Sequence, residues 1–365
     1  MTLHATHLLN AFLLAVVLII ALGKLAEPAG LVDRPNARKL HEGCIPVVGG
    51  VAMFAAFMVT VLLVEWPQRA PWGLVSGLFI LVAIGIVDDI RDLRPRVRLA
   101  VQAVAAAVMV VPDWHVVREL AELGAGRIDL GVLALPFTLF LIVGAINAYN
   151  MLDGLDGLAG GAAAAAFFWL AVVAGAERHG GQATVLVLLA ATLGFLVFNL
   201  PHPWRLRASV FMGDAGSTML GASIAFFIVV LASAPAPTAP LPGLLWICAL
   251  PAIDTLSLIL RRIHGGRSPF AADRRHLHHL LLDLGFSARR AAGLIVLASF
   301  VLGGVGVAGI LAGVPDPVML AGLAVPLAAH IRFVRRAENR LRKGRPAGGG
   351  AVLQDAGLPI RSPGL

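Results

Sequence analysis

The chain alternates long apolar runs with short polar stretches. Apolar windows of about 20 residues, the length that crosses a bilayer as a helix, fall near 7–26, 46–64, 72–88, 97–112, 132–150, 158–176, 183–199, 217–234, 242–261, 291–313 and 317–334. The pattern predicts an all-α, polytopic transmembrane helical bundle of about eleven spans. One small hairpin is expected in 114–130, turning around Gly124 to Gly126. The membrane domain occupies 1–335, and the Arg-, Gly- and Pro-rich remainder, 336–365, reads as a basic, disordered cytoplasmic tail near anionic headgroups. The first run, 8–25, lacks a basic leader and a small-residue cleavage site, so it reads as a retained span.

Polar positions set the orientation. With the C-terminus cytoplasmic, all of the 29 Lys and Arg residues except Arg69, Arg118, Arg127 and Arg178 fall on that side, as the positive-inside bias requires. An odd number of spans then puts the N-terminus outside. Composition agrees with this picture: 58% hydrophobic residues, 14% charged and a mean hydropathy of +0.86 exclude a soluble enzyme with a large core. The net charge of +8 lies between spans and forms no aromatic and basic surface, which points to lipid or an anionic substrate and away from nucleic acid. Cys44 in a cytoplasmic stretch and Cys248 in an apolar run indicate neither a disulfide nor a thiolate metal site.

The chemistry is concentrated at span ends on the cytoplasmic side. Asn147, Asn150, Asp153 and Asp156 recur every third residue, which lines them along one side of helical or tightened terminal geometry, while Gly154 and Gly157 let the backbone approach a ligand. Such a cluster at the end of an apolar run reads as a site; the alternative is a polar, glycine-rich helix end. In Asp88-Asp89-Ile90-Arg91-Asp92, helix geometry brings Asp92 beside both other carboxylates. Either a divalent cation or cationic substrate compensates them, or Arg91, Arg94 and Arg96 make an ordinary solvated patch. Gly213-Asp214-Ala215-Gly216-Ser217 opens a span, so Asp214 lies at a helix N-terminus suited to a phosphate or magnesium diphosphate, with a simple N-cap by Asp214 or Ser217 as the other reading.

The longest cytoplasmic loop contains Arg267-Ser268-Pro269-Phe270-Ala271-Ala272-Asp273-Arg274-Arg275-His276-Leu277-His278-His279. From Asp273 the spacing is helical, with Leu277, Leu280, Leu281 and Leu284 on an apolar side for the membrane surface. Three histidines admit zinc, but the arginines around them fit a donor cluster for phosphate or diphosphate better. Asp254, within the ninth span, is expected to support this loop by hydrogen bonding to a neighbouring helix. Carboxylates for magnesium and cationic donors for phosphates, placed where headgroups meet cytosol, imply phosphoryl transfer to a lipid.

These motifs resemble the polyprenyl-phosphate N-acetylhexosamine-1-phosphate transferases. Asp-Asp-x-x-Asp at 88–92, Asn-Ala-x-Asn-Met-x-Asp-Gly-x-Asp-Gly at 147–157, Gly-Asp-x-Gly-Ser at 213–217 and His-x-His-His at 276–279 occur in the family's order. The loop 267–279 is similar to that of the bacterial UDP-GlcNAc:undecaprenyl-phosphate GlcNAc-1-phosphate transferase branch and unlike that of the phospho-MurNAc-pentapeptide branch. The resemblance implies transfer of GlcNAc-1-phosphate from UDP-GlcNAc to undecaprenyl phosphate with release of UMP. That step would initiate O-antigen or related lipid-linked glycan synthesis in a multi-pass protein of the bacterial inner membrane, with its active site on the cytoplasmic face. It further implies that Asp88 and Asp89 are catalytic, one deprotonating the lipid phosphate, and that Asn150 and Asp214 are associated with Mg2+ or Mn2+. Asn147, Asp153 and Asp156 fall to the substrate site, and Arg267, Arg274, His276, His278 and His279 to diphosphate and sugar recognition. A homodimer is compatible with the family. The nearer alternative is the same reaction with UDP-QuiNAc, UDP-FucNAc or UDP-MurNAc-pentapeptide. The distant one is a secondary transporter, disfavoured because the carboxylates sit at span ends on one side and no repeat is visible.

Overall fold

The computed structural model describes residues 5–33, 44–65, 71–124, 126–178, 180–233, 239–264, 266 and 276–343. Its helices are α1 (Ala5–Leu25), α2 (Gly49–Glu65), α3 (Trp72–Arg91), α4 (Pro95–Val110), α5 (Ala134–Leu152), α6 (Leu158–Ala176) and α7 (Gln182–Asn199). They continue with α8 (Gly213–Ala232), α9 (Leu241–Leu244), α10 (Ala249–His264), α11 (Leu277–Asp283), α12 (Ala288–Leu311), α13 (Asp316–Gly322) and α14 (Ala324–Lys343). Two antiparallel pairs complete the described chain, β1 (Val32–Asp33) with β2 (Ile45–Pro46) and β3 (Glu119–Leu123) with β4 (Gly126–Asp129). The second pair is the hairpin expected between residues 114 and 130, tied to α13 by the Glu122 amide, which donates to Asp316 Oδ2 at 2.8 Å.

Among the described residues nine helical stretches are long and apolar enough to cross a membrane. The remaining two expected windows are helical but shorter, α2 with 17 residues and α4 with 16. Two spans are interrupted. Pro251 and Pro326 lack the N–H that would bond back to Ile247 and Gly322, and the chain leaves regular helix there, through a 3-10 turn at Leu245–Cys248 and between α13 and α14. α14 then runs to Lys343, past residue 335 where the tail is expected to begin. Residues 344–365 lie outside the described residues.

The bundle is built around α8, which is buried without a break from Ala215 to Leu231, as a helix apolar on all sides must be. It packs chiefly on α3 and α5, with α2 and α6 beside it, while α1 lies against α2 and α7, and α12 against α6. Lipid tails are as apolar as leucine, so close fit between small residues has to hold such helices together. A Cβ on Gly221 would stand 2.6 Å from the Ala145 carbonyl oxygen of α5, and one on Gly216 would stand 2.9 Å from Gly50 Cα of α2. The polar residues of α8 are absorbed locally: Ser217, Thr218 and Ser223 donate to carbonyls four residues back.

At one end of the bundle the C-terminal ends of α3, α5 and α7 meet the N-terminal ends of α2, α4, α6 and α8, joined by hydrogen bonds between them. α11 departs from expectation. It begins only at Leu277, and Leu280 and Leu281 are buried against α12 and α14, not laid on the membrane surface. The cause is His276, whose pairing with buried Asp254 draws the chain inward before the helix starts.

Candidate active site

A cavity of about 390 Å³ opens at that end of the bundle. Its wall comes from β1 (Asp33), the last turn of α3 (Asp89), the turn Asp153 to Asp156, Asn199 closing α7, Phe211 before α8 and Gly213 opening it. Asp89 is fixed by the start of α8: its Oδ1 accepts from the Asp214 amide at 2.9 Å and its Oδ2 from the Ala215 amide at 3.5 Å. The helix end expected to receive a phosphate, or an N-cap from Asp214 or Ser217, is therefore capped by Asp89 from another helix. A carboxylate satisfies both the unpaired amides and the positive end of the helix dipole. Two glycines allow this approach. Gly85, one turn before Asp89, lies so close to α8 that a Cβ would be 2.9 Å from the Asp214 carbonyl carbon; Gly213 has φ +68° and would collide with Asp89 itself.

Asp88 faces elsewhere. It is buried, its Oδ1 accepts from the Leu93 amide at 2.6 Å, and its Oδ2 accepts from Arg98 Nη1 at 2.9 Å. The same guanidinium nitrogen is 3.6 Å from Asp214 Oδ2. Arg98, in the first turn of α4, thus holds two carboxylates from two helices beside a small pocket shared with Gln102 and Thr218. Asp92 does not join them, since the helix ends at Arg91 and Asp92 takes a left-handed, exposed conformation, φ +50°. Asn150 Nδ2 donates to Asp214 Oδ1 at 2.5 Å and to Ser217 Oγ at 3.0 Å, so the two positions expected at magnesium touch each other. Asn147 turns away from the cavity and donates to Gln102 Oε1 at 2.7 Å, joining α5 to α4.

Asp153 and Asp156 stand beyond the end of α5 in a turn that lines the cavity. Asp156 Oδ2 accepts from the Ala208 amide at 2.8 Å. Asn199 accepts from the Gly157 amide at 2.8 Å and donates to the Val210 carbonyl at 3.0 Å. Together these bonds strap the loop before α8 to the turn. Burial, and then the like charges of Asp214, Asp89 and Asp156, push the Asp153 carboxyl up to about 7. The predicted single row of four residues therefore splits three ways, because the helix ends at Leu152 and the later two follow turn geometry.

The histidines reach this cavity from behind. His276 Nδ1 lies 3.0 Å from Asp254 Oδ2, and Asp254 Oδ1 accepts from the Leu277 amide at 3.1 Å. Asp254 thus supports the loop through the amide that opens α11, the bond to a neighbouring helix that was expected, and through His276 as well. His278 is buried and seated on Gly154, where a Cβ would come within 2.8 Å of its ring. Burial first, then the neighbouring His279 and His276, lower the His278 pKa to about 3, so the ring is neutral at physiological pH. His279 is half-buried, with its ring centroid 4.2 Å from that of His278. Arg267 and Arg274 lie outside the described residues.

Three contributors escape the sequence reading. Asp33 sits in a stretch read only for its basic charge, Arg98 at the start of an apolar window, and Asn199 is a lone polar residue ending an apolar run, without the repeat that marks Asn150. Among the described lining residues four are carboxylates, Asp33, Asp89, Asp153 and Asp156, and none is Lys, Arg or His. These hard oxygen donors fit magnesium, which binds through one or two carboxylates and takes its other ligands from water and substrate phosphates. Among the described residues no group of three or more His, Cys, Asp or Glu is placed to hold a metal ion.

Residues 71–232, which span α3 to α8 and carry Asp88, Asp89, Asn150, Asp153, Asp156 and Asp214, match glycosyl transferase family 4. The undecaprenyl-phosphate alpha-N-acetylglucosaminyl 1-phosphate transferase of Escherichia coli K12 is 35% identical over 360 residues, covering 93% of this chain and 96% of that protein. The protein of the same name from Haemophilus influenzae is 35% identical over 349 residues, covering 91% and 97%. The chain belongs to the membrane-bound polyprenyl-phosphate N-acetylhexosamine-1-phosphate transferases of glycosyl transferase family 4.

Proposed function

We propose that this protein transfers GlcNAc-1-phosphate from UDP-GlcNAc to undecaprenyl phosphate and releases UMP, at the cytoplasmic face of the bacterial inner membrane, as the first step of a lipid-linked glycan. The observation that carries the reading is the acidic cavity at the end of a membrane bundle. At about 390 Å³ it falls within the roughly 300–1,000 Å³ usual for small-molecule sites. Anionic substrates enter so acidic a site only with a cation, which is the condition of phosphoryl transfer. The 35% identity to GlcNAc-1-phosphate transferases over 93% of the chain supports the choice of donor and acceptor.

In this reaction an oxygen of the lipid phosphate bonds to the phosphorus bearing the sugar, and the bridging P–O bond breaks so that UMP leaves with its oxygen. Asp89 takes the proton of the lipid phosphate, its orientation set by the α8 amides. Magnesium would be held by Asp153 and Asp214, with Asn150 fixing the Asp214 carboxylate, and would neutralise charge on the phosphates. Asp156 positions the nucleotide-side turn. The test offers purified protein undecaprenyl phosphate with UDP-GlcNAc, UDP-QuiNAc or UDP-FucNAc and identifies the lipid product by mass. GlcNAc-diphosphate lipid is expected; a different sugar replaces the donor assignment, and no lipid product from any donor overturns the reaction.

A further inference from the structure

Asp254 on α10 is 3% exposed and both its oxygens are engaged, one with His276 and one with the amide that opens α11. His330 on α14 is 6% exposed, and its Nε2 lies 3.6 Å from Asp254 Oδ1 with no hydrogen-bond partner among the described residues. Two turns further along the same helices, Arg261 donates to Glu338 at 3.2 Å, so α10 and α14 are hydrogen-bonded there and in contact at Asp254 and His330. On the other side of Asp254 the rings of His276 and His278 are nearly parallel, 9° apart with centroids 5.7 Å apart, and His278 rests on Gly154. A continuous run of contacts therefore leads from the last span to the residue beside Asp153. We propose that Asp254 and His330 are positioning residues of the transfer reaction: His330 holds Asp254, and Asp254 holds His276 and the start of α11 so that His278 stays seated on Gly154 and the cavity turn keeps its shape. Their catalytic consequence rests on the transferase reading above; their structural one does not.

Hydrogen exchange of the full-length protein in detergent reads the positioning without any substrate. Asp254→Ala and His330→Ala should each speed exchange of amides 277–283 and 152–157 by about 10-fold or more while α8 exchanges as in wild type. Unchanged exchange in those segments overturns the proposal, and so does acceleration that spreads through α8, which marks general loss of packing. With whichever sugar donor the wild type accepts, both substitutions should raise the donor KM by about 10- to 100-fold with a smaller change in kcat. Asp254→Asn, which keeps an acceptor for the Leu277 amide, should recover most of the loss. The double variant should be no worse than Asp254→Ala alone because His330 acts through Asp254; additive losses overturn that order. If Asp254→Ala does not accumulate, His330→Ala carries the same comparison. A wild type inactive on every donor refutes the function, while the exchange rates still decide the positioning.

Discussion

Asp88 and Asp89 are adjacent in the chain yet divide their work, one locked to Arg98 and one lining the cavity. Asp89→Asn keeps an acceptor for the Asp214 amide but loses the charge, so turnover should fall about 100- to 10,000-fold with little change in Tm. Asp88→Asn weakens a charge-assisted bond and should lower stability by about 1.5–3 kcal/mol as well as turnover. Detergent Tm and turnover measured on both variants check this, and a larger Tm loss for Asp89→Asn would reverse the roles. Asp153 gives a signed pH effect. Its carboxyl titrates near 3.8 when unfolded and at about 7 in the fold, so between those values the folded state holds the extra proton and stability declines as pH rises. In excess chelator, Asp153→Asn should therefore melt higher than wild type at pH 8 and match it near pH 4. Equal melting at both would show that neither burial nor like charge raises the Asp153 carboxyl. The same acidic wall predicts that chelator abolishes turnover and that added magnesium restores it; full turnover in chelator would remove the cation from the reaction.

At the scale of elements, what the sequence shows depends on how far apart the partners lie. The start of α8 is legible as an anion-friendly helix end, but its occupant arrives from 125 residues away, and no local pattern announces that Asp89 fills it. The hairpin at Glu119–Asp129 is legible because turn and alternation are both local. In α11 the leucine spacing is correctly helical and its partner is not, since one apolar period serves a membrane surface and a protein core equally. The buried position of Leu281 makes the difference measurable. Leu281→Ala should lower unfolding free energy by about 2–5 kcal/mol, the usual cost of an emptied core site, whereas a leucine lying on the membrane surface would leave detergent stability nearly unchanged.

For the whole molecule, hydropathy alone reveals the class and nearly every span, because a bilayer forces uniform apolar lengths that a soluble core does not. The packing of α8 depends on which glycines face which neighbours, as Gly50 faces Gly216 and Gly221 faces α5, and this is not written in any one window. The proposed orientation rests on the distribution of charge. Placing the acidic cavity in the cytosol puts Arg118, Arg127 and Arg178 outside and gathers nearly all other basic residues on the cavity side. The two ends are marked by Glu177, where α6 stops, and by exposed Asp283, where α11 stops. In a full-length variant with Cys44 and Cys248 replaced, a cysteine introduced by Glu177→Cys should react in intact spheroplasts with a membrane-impermeant thiol reagent. One introduced by Asp283→Cys should react only after the membrane is opened. The opposite pattern would place the cavity outside, away from any cytosolic sugar nucleotide, and would overturn the orientation and the proposed reaction together.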